Sequence, residues 1–271
     1  MTNENTTDWS TDRKLRVLLR NIWTIAWKEV KTYFASPMAY VVAASFLAIT
    51  GFFFVASVSD PFSEASIRGY VAGAIFFMVF LSPALTMRLL AEEQKLGTLE
   101  LLMTSPVREW EIVIGKFIAS FIMLALMVAG TLFFVVVLFW YGDPDVGPIF
   151  TGYLGVLLYG AATLAIGLMA SALSGNQLVS LVVGAGLLTA LTVSNFVADR
   201  LTGTAREIVS NFQLGSSFSV FDTSSFGVVE GGHFADFARG ILSVTDIAYY
   251  VSITAVFLFI TVVLLESRRW R

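Results

Sequence analysis

Few residues in this sequence have the chemistry for catalysis or ligand binding, and they fall in two places. The single histidine, His233, stands near Asp222, Glu230 and Asp236. One imidazole among carboxylates lacks the spaced second His or Cys that marks a metal site, so no metal is assigned. The competing reading is a helix start, in which Gly231-Gly232-His233 opens an amphipathic helix that dips Phe234, Phe237 and Ile241 into the outer leaflet. Ser171, Ser180 and Ser194 lie inside long apolar runs, but a serine nucleophile needs a base within hydrogen-bond reach. His233 lies outside every such run, which argues against an intramembrane hydrolase. No Gly-x-x-x-x-Gly-Lys-Ser/Thr phosphate loop occurs, so the chain is not expected to bind ATP in the usual way. The second group is Arg88–Arg108, where Glu92, Glu93, Lys95 and Glu100 alternate with Leu99, Leu102 and Met103. That mixture suits docking rather than bond breaking.

The elements that must hold these groups follow from composition. Of 271 residues, 56% are hydrophobic and 14% charged, where a soluble domain carries about a quarter charged. Mean hydropathy is +0.78. A bilayer-spanning helix needs about 20 mostly apolar residues. Six runs qualify: Met38–Val58, Gly69–Met87, Phe117–Tyr141, Ile149–Leu173, Leu178–Ala198 and Ile247–Leu265. Each is free of Asp, Glu, Lys and Arg, with Arg68 and Arg88 just outside the second. The domain reading is therefore a disordered tail over residues 1–12 and one membrane domain over 13–271, with spans of about 38–58, 69–88, 116–141, 149–173, 178–198 and 247–265.

Charge placement sets the expected orientation. Thirteen Lys and Arg fall in Arg13–Lys31, Arg88–Lys116 and Arg268–Arg271, against Arg68, Arg200, Arg206 and Arg239 on the opposite connections. By the positive-inside rule both termini are cytoplasmic. The absence of cysteine removes disulfides and thiol chemistry. The first apolar run is too long, and its polar leader too basic, for a cleavable signal peptide.

Leu15, Leu18, Ile22, Ala26, Val30 and Tyr33 recur at helical spacing opposite Arg13, Arg16, Arg20, Thr24, Lys28 and Lys31, with Trp23 and Trp27 at the boundary. The pattern predicts an amphipathic helix in the inner headgroup layer; a plain juxtamembrane anchor is the other reading. Ser36-Pro37 ends it. Gly167, Ser171 and Gly175 recur every four residues, and Gly184 and Gly186 thin the following run. Small residues so spaced allow close helix approach, although glycine is common in membrane helices generally. No inverted repeat of the secondary-carrier kind is detected, and no carboxylate, histidine or lysine lies at membrane depth to relay ions. Thr189, Thr192, Ser194 and Asn195 are the most polar group at depth and read as pathway candidates or as satisfied packing polars.

Two connections exceed turn length, Arg88–Lys116 on the inner side and Asp199–Asp246 on the outer. In the first, Arg88–Lys95 continues the second span as a charged helix, Gly97 interrupts it, and Thr98 is placed to cap a short helix carrying Leu99, Leu102 and Met103 that stops before Pro106. This helix either inserts Leu99 and Leu102 into a partner while Glu93 and Glu100 meet its basic residues, or rests on lipid, where its acids fit poorly. In the second, Asp246 is suited to cap the last span.

Glu92-Glu93, then Gly97-Thr98-Leu99-Glu100-Leu101-Leu102, then Thr104 and Pro106, resembles the signature of ABC-2 type permeases, and it follows the second span as in that family. Tyr33-Phe-Ala-Ser-Pro-Met-Ala-Tyr40, His233-Phe234-Ala-Asp-Phe237-Ala-Arg239-Gly240 and Leu265-Glu-Ser-Arg-Arg-Trp270 are similar to the branch that includes gliding-motility and copper-enzyme-maturation permeases. The resemblance implies an all-α integral membrane protein of six transmembrane helices, with an N-terminal interface helix, a cytoplasmic coupling helix after span two and a partly helical outer loop before span six. It implies pairing with a second permease copy or paralogue and docking of an ABC ATPase subunit that carries the ATP and magnesium. Glu92, Glu93, Gly97, Thr98, Leu99, Glu100, Leu102 and Pro106 inherit the coupling role, with Ser174–Gln177 as a smaller cytoplasmic contact. Phe234, Phe237, Arg239 and Gly240 inherit an outer gate.

The expectation is thus a non-enzymatic export permease in a bacterial or archaeal plasma (inner) membrane. Lipid and, compatibly, a periplasmic accessory protein are its other partners, and no nucleic acid is expected. The rival is a non-transporting scaffold that relays ATPase-driven motion to outer machinery. Substrate is not legible.

Overall fold

The computed structural model describes residues 5–59, 66–98, 107–198, 214 and 234–268, without the side chains of 5–15, 193–198, 235 and 268. Every regular element among them is helical: α1 Asn5–Ala35, α2 Pro37–Val58, α3 Arg68–Lys95, α4 Glu109–Gly130, α5 Leu132–Tyr141, α6 Val146–Leu173, α7 Gln177–Ala198, α8 Ala235–Ala238 and α9 Val244–Arg268. Helix is the form that satisfies backbone groups within one segment, as lipid requires. Among the described residues five helices are long and apolar enough to cross a bilayer: Pro37–Val58, Arg68–Lys95, Glu109–Tyr141, Val146–Leu173 and Val244–Ser267. The sixth expected run is helical too, over Gln177–Ala198, with Gln177–Thr192 apolar.

The helices overrun the apolar runs where polar residues continue the turn. At 28 residues α3 is about 42 Å long, more than the roughly 30 Å hydrocarbon layer, so Arg88–Lys95 has length to stand clear of it. The expected third span is divided. Its helix starts at Glu109, and Thr131 separates α4 from α5 while its hydroxyl bonds Val128 O at 2.6 Å. Tyr153 Oη donates to Thr131 O at 2.9 Å, fixing the joint against α6. At the N-terminus helix already covers residues 5–12, which the sequence suggests as a tail; Asp8 and Asp12 sit in its first turns, where carboxylates favour a helix start.

Packing is centred on α3 and α6. Of the residues in their most apolar stretches 72% are buried, against 22% for α2 and 11% for α9. α2 and α7 flank α3, α9 and α4 pack on α6, and α1 lies against α4. The small-residue series of α6 serves α3 rather than α7 alone. A Cβ at Gly167 would collide with Thr86 Oγ1 and lie 3.2 Å from Ser82 O, so only glycine admits this approach. Ser82 and Thr163 share a hydroxyl–hydroxyl bond of 2.7 Å between the same helices.

Candidate functional site

At the end of the bundle that carries α1, the apolar stripe of that helix is not spent on lipid. Ile22, Ala26, Val30 and Tyr33 are buried against the protein. Glu29 falls on the same stripe, and a carboxylate there needs a cation. Lys116 supplies it from α4, with Nζ 2.8 Å from Glu29 Oε1 and 2.8 Å from Glu93 Oε1. The lysine side chain is 1% exposed, the two glutamates 10% and 15%. Lys28 completes the group at 3.7 Å from Glu93 and 3.9 Å from Glu29. Approach of α1 to α4 depends on Gly115, where a Cβ would meet Ile25 at 2.8 Å. One turn lower, Asn21 donates to Glu111 at 3.1 Å.

The same end is tied in three further ways. Arg88 donates to Glu92 Oε2 at 3.1 Å and to Ser36 Oγ at 2.6 Å, joining α3 to the α1–α2 corner. Tyr33 Oη donates to Leu85 O at 2.7 Å. Burial foremost, then the Glu29 carboxylate, pushes the Tyr33 hydroxyl well above its ordinary value against a smaller lowering by Arg88, so it stays a donor. Ser171 Oγ accepts from Leu90 N and Ala91 N at 3.2 and 3.1 Å and donates to Met87 O at 3.1 Å, while Gln94 Nε2 reaches Ala172 O at 3.0 Å.

The expected coupling residues divide accordingly. Glu92 and Glu93 are held by partners within the chain, and Glu93 faces inward onto Lys116. α3 ends at Lys95, and Gly97 turns the chain with φ +69 in open space, a conformation costly for other residues. Thr98 Oγ1 points back to Glu93 O at 3.4 Å. Leu99, Glu100, Leu102 and Pro106 lie outside the described residues.

At the opposite end Phe234 and Phe237 do not dip into lipid: both are fully buried. They pack with Tyr159 of α6 and Tyr250 of α9, ring centroids 5.8–6.3 Å apart. Aromatic rings gain more from one another than from lipid tails, because their edges and faces are electrostatically complementary. Of the three expected lipid contacts only Ile241 is exposed, at 54%. Thr151 Oγ1 donates to Phe237 O at 2.7 Å, and Gly240, at φ +89, lies against Pro148. Arg239 is exposed. Asp246 is buried in the first turn of α9 rather than at its cap, since Ile247 N bonds Ser243 O. His233, Asp222 and Glu230 lie outside the described residues.

Among the pathway candidates, Thr189 is exposed, and Thr192 donates to Leu188 O at 2.8 Å. The side chains of Ser194 and Asn195 are outside the described set. Sequence reasoning missed Glu29 and Lys116 as a pair. The available signal was a lone acid on the stripe Ile22, Ala26, Glu29, Tyr33, matched by a lone lysine beside Gly115 at the head of an apolar run.

No curated protein matches this sequence. The family described as ABC-2 family transporter protein matches residues 23–270, from within α1 to the residue before the last. That range holds every helix among the described residues that is long and apolar enough to cross a membrane, and the chain belongs to the ABC-2 transporter family.

Proposed function

We propose that the chain is the membrane-spanning permease subunit of an ATP-driven ABC-2 exporter, working as a dimer and coupled to a separate ATPase through residues 92–106. Family membership supports the permease role. The observation that carries the coupling assignment is the anchoring of the α3 end: Glu93, Arg88 and Gln94 each bond a different neighbour immediately before Gly97 releases the chain. A segment that follows a helix fixed to α1, α4 and α6 can pass a push from a partner to all three. In this reading the α1 end is cytoplasmic, Gln177–Ala198 is the sixth span, and the membrane is a bacterial or archaeal plasma membrane. Thr189, Thr192 and Asn195 are pathway residues, and the buried Phe234–Phe237 pair with Arg239 and Gly240 forms an outer gate. Within the family, the blocks Tyr33–Tyr40, His233–Gly240 and Leu265–Trp270 resemble the gliding-motility and copper-maturation branch, and that branch is part of the proposal.

The test is co-purification with a co-expressed ABC ATPase subunit. Leu99→Asp and Glu100→Lys are expected to abolish complex formation or to uncouple ATP hydrolysis from substrate. A variant complex that assembles and keeps full substrate-stimulated hydrolysis removes the coupling assignment.

A further inference from the structure

With Ile22, Ala26, Val30 and Tyr33 buried in the protein, α1 keeps a second face that no neighbouring helix covers. Arg16, Arg20, Trp23, Trp27, Lys31 and Phe34 follow one another at intervals of four, three, four, four and three, which places them within one narrow sector of the helix. All six are exposed. Trp23 and Trp27 are 58% and 49% exposed and stack with centroids 6.3 Å apart. The Lys31 ammonium sits 5.7 Å from the centre of the Trp27 ring.

Two observations say what covers this face. The first is charge. From Arg16 to Ala35 the only acid is Glu29, and it is turned inward onto Lys116. The exposed sector beside the Trp pair carries Arg20 and Lys31, while Lys28 leans towards Glu93 at 3.7 Å, and no other acid lies between Arg16 and Ala35. The second is continuity with the membrane. Phe34 ends the sector at the corner with α2, where Tyr40 Oη donates to Phe34 O at 2.9 Å. Met38, Tyr40 and Val41 carry the exposed apolar surface on into the first turns of α2. The sector therefore runs out of the hydrocarbon-facing side of a span into a row of alternating rings and cations. Indole rings favour the headgroup level, where the apolar body and the polar N–H find different surroundings, and basic side chains beside them meet phosphate.

We propose that this face of α1 is a binding site for anionic phospholipid of the leaflet on the α1 side. The Trp23–Trp27 stack lies against glycerol and upper acyl chain, and Arg20 and Lys31 at either side of it clamp the phosphate. Zwitterionic lipid offers the same apolar contact but cancels the phosphate charge with its own cation, so the site discriminates by headgroup. Because Glu29 and Lys116 link the opposite side of the helix to α3 and α4, a lipid held here fixes the height of α1 relative to the bundle.

The experiment is native mass spectrometry of the purified full chain, titrated with chain-matched phosphatidylglycerol and phosphatidylcholine. Wild type is expected to retain phosphatidylglycerol about 25-fold more strongly, since Arg20 and Lys31 near an anionic surface each contribute about fivefold. Arg20→Gln with Lys31→Gln should bring the two lipids to near parity, whereas Arg20→Lys with Lys31→Arg should keep the preference. Trp23→Ala with Trp27→Ala should weaken both lipids together. Equal retention of the two lipids by wild type overturns the proposal, as does an unchanged preference in the Gln pair. If the Gln pair keeps its lipid preference but no longer co-purifies with the ATPase subunit of the proposed complex, the face docks an acidic protein surface and the lipid assignment is wrong.

Discussion

The ammonium of Lys116 lies 2.8 Å from the carboxylate of Glu93, joining the start of α4 to the last turn of α3 with a second carboxylate, Glu29, at the same distance from α1. One cation therefore holds three helices at the end of the bundle where the chain leaves α3. Taking three charges out of water is costly, and the arrangement is stable only while each keeps its partner.

Lys116→Met leaves two nearly buried carboxylates with only the exposed Lys28 at 3.7–3.9 Å, and loss of about 3 kcal/mol is expected. The melting temperature of the purified chain in detergent should fall sharply. Adding Glu29→Gln and Glu93→Gln should recover much of it, because the triple change also removes the uncompensated charge. An unchanged melting temperature in the single variant would show that the pairing is absent in solution.

Gly167 and Gly186 make a matched pair for the helix approach. Gly167→Val puts side-chain atoms where Thr86 and Ser82 already stand, and misassembly is expected. Gly186 has nothing within 4 Å, so Gly186→Val should leave the melting of the isolated chain unaltered. Equal behaviour of the two variants would refute the close contact of α6 with α3.

Tyr33 gives a pH dependence with a definite sign. Its hydroxyl is raised above the ordinary 10.0 mainly by burial, so the folded state favours the protonated form. The associated stability is complete below that ordinary value and is lost as pH climbs through it and beyond. Tyr33→Phe should cost about 1 kcal/mol at neutral pH through the lost bond to Leu85 O. Its alkaline decline in stability should be shallower than that of wild type; a parallel decline would exclude Tyr33 as a contributor.

Phe237→Ala empties a fully buried site between α6 and α9, for which about 3–5 kcal/mol is expected. In the gate reading, Phe234→Ala and Phe237→Ala change transport or raise leakiness in proteoliposomes while ATPase binding persists. Failure of the complex to assemble would assign the pair to structure instead.

The helices were legible because the property that makes them, long stretches without charge, is local. The ties between them were not. Glu29 and Lys116 are 87 positions apart, and each looks ordinary in its own neighbourhood. The apolar stripe Ile22, Ala26, Val30, Tyr33 was readable as a buried face, yet periodicity cannot distinguish lipid from a neighbouring helix as its cover, and here the cover is protein. The same ambiguity affected Phe234 and Phe237: rings followed by an exposed Ile241 suggest a membrane-dipping helix until Tyr159 and Tyr250 are seen opposite them. The interruption at Gly97 was legible because glycine breaks a helix, and its positive φ just after the end of α3 agrees.

The central position of α3 and α6 has a bearing on how the chain is made. These two helices have the lowest hydropathy of the five among the described residues that could span, 1.9 against 2.3–2.8, and they carry Ser82, Thr86, Thr163 and Ser171 on the faces they share. A ribosome finishes α3 before α6 exists, so the hydroxyl-bearing face of α3 must wait through the synthesis of α4 and α5 for the helix that matches it. Biogenesis thus has a vulnerable interval ended by the arrival of α6, and chains stalled within it would display to the cell's quality-control machinery a span whose polar side has nowhere to go.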